Sequence, residues 1–170
     1  MPYEEHRLFE TPPGETRIWR YMSAMKLLQL ASTSMLHFSR LDALKSEDPF
    51  EGEYSRPNTE AMDKEFAELY ADGDVRPPLG VAPDMMRPWL SLLAQTMTFV
   101  NCWHMSEVES AAMWKIYASD QAGVAVVSTV DRLIAALAPT KRHVHIGRVQ
   151  YVDYETHAMA AGNSMAPALT

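Results

Sequence analysis

Two periods run through the pattern of apolar and polar positions, and they divide the chain into short strands and short helices. Residues 17–22 (RIWRYM) alternate and predict a first strand, on which Arg20 points away from Trp19 and Tyr21. Behind Ser23, a capping residue, Ala24, Leu27, Leu28 and Ala31 recur at helical spacing and predict a helix over 24–31 that Thr33 and Ser34 break. Residues 35–40 (MLHFSR) read as a second strand, with Leu36, Phe38 and Arg40 on one face and His37 and Ser39 on the other. Asp48-Pro49 opens a turn, because the residue before proline is driven out of the helical region. Gly52 allows a tight bend, so Glu51 falls on a constrained loop. Asn58 caps an amphipathic helix to about Ala71, with Met62, Phe66, Leu69 and Tyr70 inward. Residues 75–83 are a proline-rich loop. A helix over 88–97 then turns Leu90, Leu93 and Met97 to the core, since Pro88 is tolerated in a first turn but costs about 3 kcal/mol deeper in a helix.

The densest stretch is 99–123. Residues 99–105 (FVNCWHM) are rich in β-branched and aromatic side chains and predict a buried strand. Ser106 with Glu109 three positions on has capping-box spacing, predicting a helix from there to about Ser119, and Gly123 turns the chain into a strand over 124–128. This unit gathers Cys102, His104, Glu107, Glu109, Trp114 and Tyr117 near one edge. A short helix beginning at Thr129 or Asp131 and ending at Pro139 follows, then an alternating strand over 143–153 and a tail over 156–170 rich in Ala, Gly, Ser and Met, expected to be mobile. Residues 1–16 read as an arm and 17–155 as a single domain. No repeat and no glycine-rich strand-to-helix fingerprint appears, which favours an α+β fold: a mixed, mainly antiparallel sheet of short strands with helices packed around it.

Composition changes this picture at three points. The net charge of −7, from 22 acids and 15 bases, argues against a protein that coats nucleic acid or lies on a membrane. The charge is uneven: residues 47–74 hold ten acids and only Arg56 and Lys64 as bases, whereas Lys141, Arg142, His143, His145 and Arg148 gather later. Cys102 is the only cysteine, which excludes an internal disulfide framework and fits a reducing, cytoplasmic setting; the opening residues lack the apolar run of a signal peptide.

Candidate chemistry falls into four groups. Cys102 and His104 share a face of the predicted strand, a nucleophile–base pairing, but same-face neighbours lie about 6–7 Å apart, and a buried structural cysteine is the default. His143 and His145 could offer two metal ligands, although no third is signposted and no metal is assigned. Trp19, Tyr21, Trp103, Trp114 and Tyr117 either line a pocket for a flat ligand or pack the core. Charges on core elements are harder to dismiss. Arg20 on its strand requires either an acid such as Glu51 or Glu109, bracing the sheet, or the phosphate of a ligand.

Several segments together resemble the bacterial domain-of-unknown-function 2971 family: IWRY (18–21), LHFSR (36–40), EDPFEG (47–52), VNCWHMSEVESAAMWKIY (100–117), GVAVVST (123–129) and IGRVQYVDY (146–154). The Asp-Pro-Phe-Glu turn and the Ala-Met-Trp-Lys-Ile-Tyr helix are the specific parts. An arginine on the first strand, a serine on the second and a later acidic strand are in turn similar to ADP-ribosyltransferases. That likeness implies NAD as ligand, in a toxin or phage-defence setting. Arg20, with Arg40 beside it, would hold the pyrophosphate or ribose, and Ser39 would support the nicotinamide ribose. Trp103 or Tyr117 would stack the nicotinamide, with His104 at the same turn. The family's Glu-x-Glu-x-Arg strand, home of the catalytic acid, has no counterpart before Thr170, so the resemblance implies a truncated form, or else Glu51 or Glu109 as the acid. The alternative function is a non-enzymatic interaction module, with a protein partner or a second copy of the chain docking on it.

Overall fold

Alternation makes Arg17–Ser23 a strand, β1, and its hydroxyl end makes the next element a helix. Ser23 Oγ accepts from the Lys26 backbone N–H and caps α1 (Ala24–Thr33), which ends where Ser34 takes a left-handed conformation. The computed structural model describes residues 3–7, 9–46, 48–118 and 122–158. Among the described residues six α-helices and five strands, the strands in two small antiparallel sheets, make it an α+β fold. The elements gather into two compact units, one of residues 1–38 and 101–148, the other of 39–100 and 149–170.

In the first unit β1 is the centre of a three-stranded sheet. It pairs along its whole length with β5 (Gly123–Thr129), and at Ile18 and Trp19 with β4 (His104–Met105). Helix α5 (Ala111–Ala118) packs on β1, and α6 (Val130–Leu137) follows β5 directly, capped by Thr129 Oγ1 on the Arg132 N–H. Ile18, Tyr21, Met22 and Val130 form its buried core. The expected strand over 143–153 is not formed. Val144 makes a single parallel bridge to Tyr3, and the opening segment is tied there by Glu4 N–H to the Val144 carbonyl and Arg148 N–H to the Glu10 carbonyl. These bonds tie the segment at two points without forming a ladder.

In the second unit β2 (Ser39–Arg40) pairs with β3 (Phe99–Val100), and α2 (Leu41–Leu44), α3 (Arg56–Leu69) and α4 (Met86–Met97) pack around Leu41, Tyr54, Met62 and Met86. The cap of helix α3 falls three residues before the expected Asn58. Ser55 holds the cap position, and its hydroxyl donates to Asn58 Oδ1 inside the core. Helix α4 likewise starts at Met86, so Pro88 sits in the first turn, where its missing N–H has no helical partner to lose.

Two further expectations are corrected. The run 99–105 is not one strand: β3 and β4 belong to different sheets, and residues 101–103 between them are irregular. The cap expected at Ser106 falls at Ser110 instead, whose Oγ accepts from the Met113 N–H, while Ser106 Oγ closes a local turn with Val108. Most of the expected mobile tail, 159–170, and the end of the helix near Ser119 lie outside the described residues. No helix among the described residues is long and apolar enough to cross a membrane.

Candidate functional site

Arg20 shares one face of β1 with Ile18 and Met22, both buried, because side chains two apart on a strand point the same way. Its antiparallel partner on β5 is Val126. A guanidinium is thus seated on an apolar face. Its Nη1 donates to the Cys102 carbonyl at 2.6 Å, and its Cζ lies 6.0 Å from the centre of the Trp103 ring, within cation–π range. Burial pulls its pKa down from the ordinary arginine value, opposed by the Cys102 thiol and the Tyr117 phenol. No carboxylate of the described residues in its own unit pairs with it, so the expected Arg20–Glu109 brace is not formed.

Trp103 is held in turn. Its Nε1 donates to Asn101 Oδ1 at 2.7 Å, and Asn101 Nδ2 donates to the His37 carbonyl at 2.5 Å. Cys102, expected to be buried on a strand, is exposed in the irregular link, which removes the shared strand face with His104.

The opposite face of β1 is an aromatic cluster. Trp19 stacks on Tyr21 at 6.1 Å, Trp114 meets Tyr21 edge-on at 5.0 Å, and His104 approaches Tyr21 at 6.3 Å. Its polar tips are satisfied. Trp19 Nε1 donates to the Ser106 carbonyl, the Ser110 N–H donates to Tyr21 Oη, and Trp114 Nε1 donates to Glu109 Oε2 at 3.1 Å. These rings pack α5 onto the sheet, and His104 is one of them. Glu109 is exposed and anchored by Trp114, and Tyr117 is half exposed at 51%.

The structure therefore brings Arg20, Trp103, His104, Glu109 and Tyr117 into one unit and leaves Ser39, Arg40 and Glu51 in the other. Arg40 is engaged locally: its Nε donates to Asp42 Oδ1 at 2.6 Å, and that carboxylate raises its pKa. Ser39 pairs with Val100 in β2–β3. Glu51 is buried in the turn, where Asp48 Oδ1 accepts from the Phe50 N–H and the Asp48 carbonyl from the Glu51 N–H.

Under that turn lies a polar core that the periodicity did not point to. Gln95 and Ser91, one helical turn apart on α4, are both buried. Gln95 Nε2 donates to the Gly52 carbonyl at 3.0 Å, to Ser91 Oγ at 3.1 Å and to Glu53 Oε1 at 3.3 Å. The signal available in the sequence was the pair of polar residues at helical spacing inside an otherwise apolar segment.

His143 and His145 do not assemble a metal centre. His143 Nδ1 faces Glu4 Oε1 at 3.1 Å, His145 Nδ1 meets the Glu4 carbonyl, and no group of three metal-ligating side chains occurs among the described residues. Open hollows occur among the described residues. One of about 480 Å3 is lined by Glu5, His6, Arg7, Phe9 and Thr11, and one of about 230 Å3 by Tyr54, Leu90, Leu93, Ala94 and Met97. Neither is lined by Arg20. Comparison with family models, curated proteins and solved structures gave no match.

Proposed function

We propose that the protein binds a phosphate-bearing nucleotide of the NAD type through Arg20, with ADP-ribosyl transfer as the sharper form of that reading. The observation that carries it is the Arg20 guanidinium, seated between buried Ile18 and Met22 and bonded only to a carbonyl among the described residues. A cation drawn partly out of water is costly without an anion, and such groups concentrate at binding sites. Its remaining N–H donors suit a phosphate, and the Trp103 ring, fixed by Asn101, offers a flat face beside it. The arginine on the first strand is also the point of likeness to ADP-ribosyltransferases from which NAD is taken as the ligand.

In the transfer step the bond from the ribose anomeric carbon to the nicotinamide nitrogen breaks. The nitrogen keeps the electron pair, and an acceptor nucleophile forms the new bond. A carboxylate would stabilise the positive charge that develops at that carbon; Glu109, an acid in the same unit as Arg20, is held by Trp114 with the rings on the opposite face of β1. A cytoplasmic role in a toxin or phage-defence setting is consistent with this chemistry.

Calorimetry of the full chain with ADP-ribose and with NAD tests the proposal. Binding heat is expected for the parent, about tenfold weaker binding for Arg20→Lys, which loses the planar fork, and none for Arg20→Met. Arg20→Met should melt no lower than the parent, because a partly buried cation is replaced by an apolar side chain. No heat at millimolar ligand from the folded parent, or a melting point several degrees lower for Arg20→Met, would make Arg20 a scaffold residue. Glu109→Gln should keep binding, because that carboxylate is held by Trp114 on the face of β1 opposite Arg20.

A further inference from the structure

The backbone of β5 is half used. Val130 N–H donates to the Thr16 carbonyl and Ala24 N–H to the Ala122 carbonyl, at the two ends of an unbroken β1–β5 register. Bonded pairs alternate along an antiparallel ladder, so residues 122, 124, 126, 128 and 130 direct their N–H and C=O groups to β1. Gly123, Ala125, Val127 and Thr129 direct theirs to the other side. The far edge of the sheet agrees, because Ser106 N–H donates to the Arg17 carbonyl and so sets the odd positions of β1 against β4. Among the described residues β5 is an outer strand, and no bond engages the backbone of Ala125 or Val127 on its open side.

Outer strands are normally blunted by shortness, a bulge, proline or charge, because a bare row of donors and acceptors recruits another strand. The other edge strand, β4, is two residues long. By contrast β5 is seven residues long, pairs with β1 without a bulge, holds no proline or charged side chain and leaves Val127 46% exposed. Backbone donors and acceptors in alternation specify an extended chain as the occupant. Nothing on the strand selects a foreign sequence: it has no charge, and none of its residues lines the hollows described above. A copy of the same strand fits along its whole length. With a two-fold axis at Val126, the midpoint, Gly123 meets Thr129 of the second copy and Ala125 meets its Val127. All four outward positions then exchange both backbone bonds. Val126 meets Val126 at a close non-bonded pair, where β-branched side chains pack well and no like charges are opposed.

We propose that β5 is a dimerisation edge, pairing antiparallel with β5 of a second copy about Val126 and joining two three-stranded sheets into one of six. This goes beyond the nucleotide reading, uses none of its residues and stands if that reading falls.

Sedimentation of the full chain at rising concentration, and cysteine cross-linking after Cys102→Ser removes its own exposed thiol, test it. The parent is expected to sediment as a dimer at hundred-micromolar concentration. Val127→Lys sets a charge on the edge without taking away a backbone group, and should weaken the dimer about tenfold. Met25→Lys, the same charge change on exposed α1, should leave it unaltered. In the Cys102→Ser background, Val126→Cys should form a reducible dimer under mild oxidation. Residues opposed at a non-bonded site have Cα atoms about 4.5 Å apart, within disulfide reach. Ser128→Cys, opposite Val124 in this register, should stay uncross-linked. Circular dichroism of each variant checks that it is folded. A parent that is monomeric at every concentration, a dimer unchanged in folded Val127→Lys, or cross-linking of Ser128→Cys in preference to Val126→Cys would overturn the proposal.

Discussion

At Gly52 the backbone sits at φ +72°, and a Cβ there would lie 2.8 Å from Leu41 Cδ2 and 3.0 Å from Gln95 Cγ. Conformation and space both demand glycine, so Gly52→Ala should lower the urea-measured stability by about 2 kcal/mol. Gln95→Leu keeps the volume but takes the donor from the Gly52 carbonyl, and a loss of about 2 kcal/mol is expected in the same assay. Tyr54 makes a prediction in pH. Burial, and then the Glu53 charge, raise its phenol above the ordinary 10.0. Between that value and the raised one, the native state keeps a proton that the unfolded chain has released. Stability should therefore hold below pH 10 and fall as pH climbs through the native value, and Tyr54→Phe should flatten that alkaline limb in melts across pH. Gly52 was legible in the sequence because a glycine after Asp-Pro marks a bend. The role of Gln95 was not, since nothing local to a glutamine says which carbonyl will be packed against it.

Elements whose signals are local came through best. β1, β5 and α6 have the expected period and cap, and each boundary lies within about two residues of the sequence reading. The run 99–105 did not, because apolar, β-branched composition fixes extended backbone without fixing its partner. Here two residues pair with β2 and two with β1. The misplaced cap has a similar origin: Ser106 and Ser110 both precede helix-forming residues, and Tyr21 decides between them by accepting the Ser110 N–H at 2.9 Å. Ser110→Ala should thus cost about 1 kcal/mol in thermal or urea unfolding through loss of the bond to the Met113 N–H. Glu109 makes no cap contribution to lose, its carboxylate being engaged by Trp114.

Across the whole molecule the charge of −7 is not shared evenly: one unit has an excess of eight acids and the other one extra base. Raising salt screens that repulsion. Amide exchange protection is expected to rise with ionic strength in 39–100 and to change little in 101–118 and 122–148. The sequence by itself determined the acidic run over 47–74, the α+β class, the first strand with Arg20 directed away from Trp19 and Tyr21, and the turn that carries Glu51. All of these follow from period, proline and glycine constraints or counting, which act over a few residues. Only the tertiary structure decided that Arg20 meets a carbonyl and an indole rather than an acid, that Cys102 is exposed, and that α4 buries Ser91 and Gln95 while Leu93 and Met97 face outward. Burial and pairing depend on which distant atoms arrive. An amphipathic pattern specifies two faces, and which of them is buried depends on the groups that pack against it.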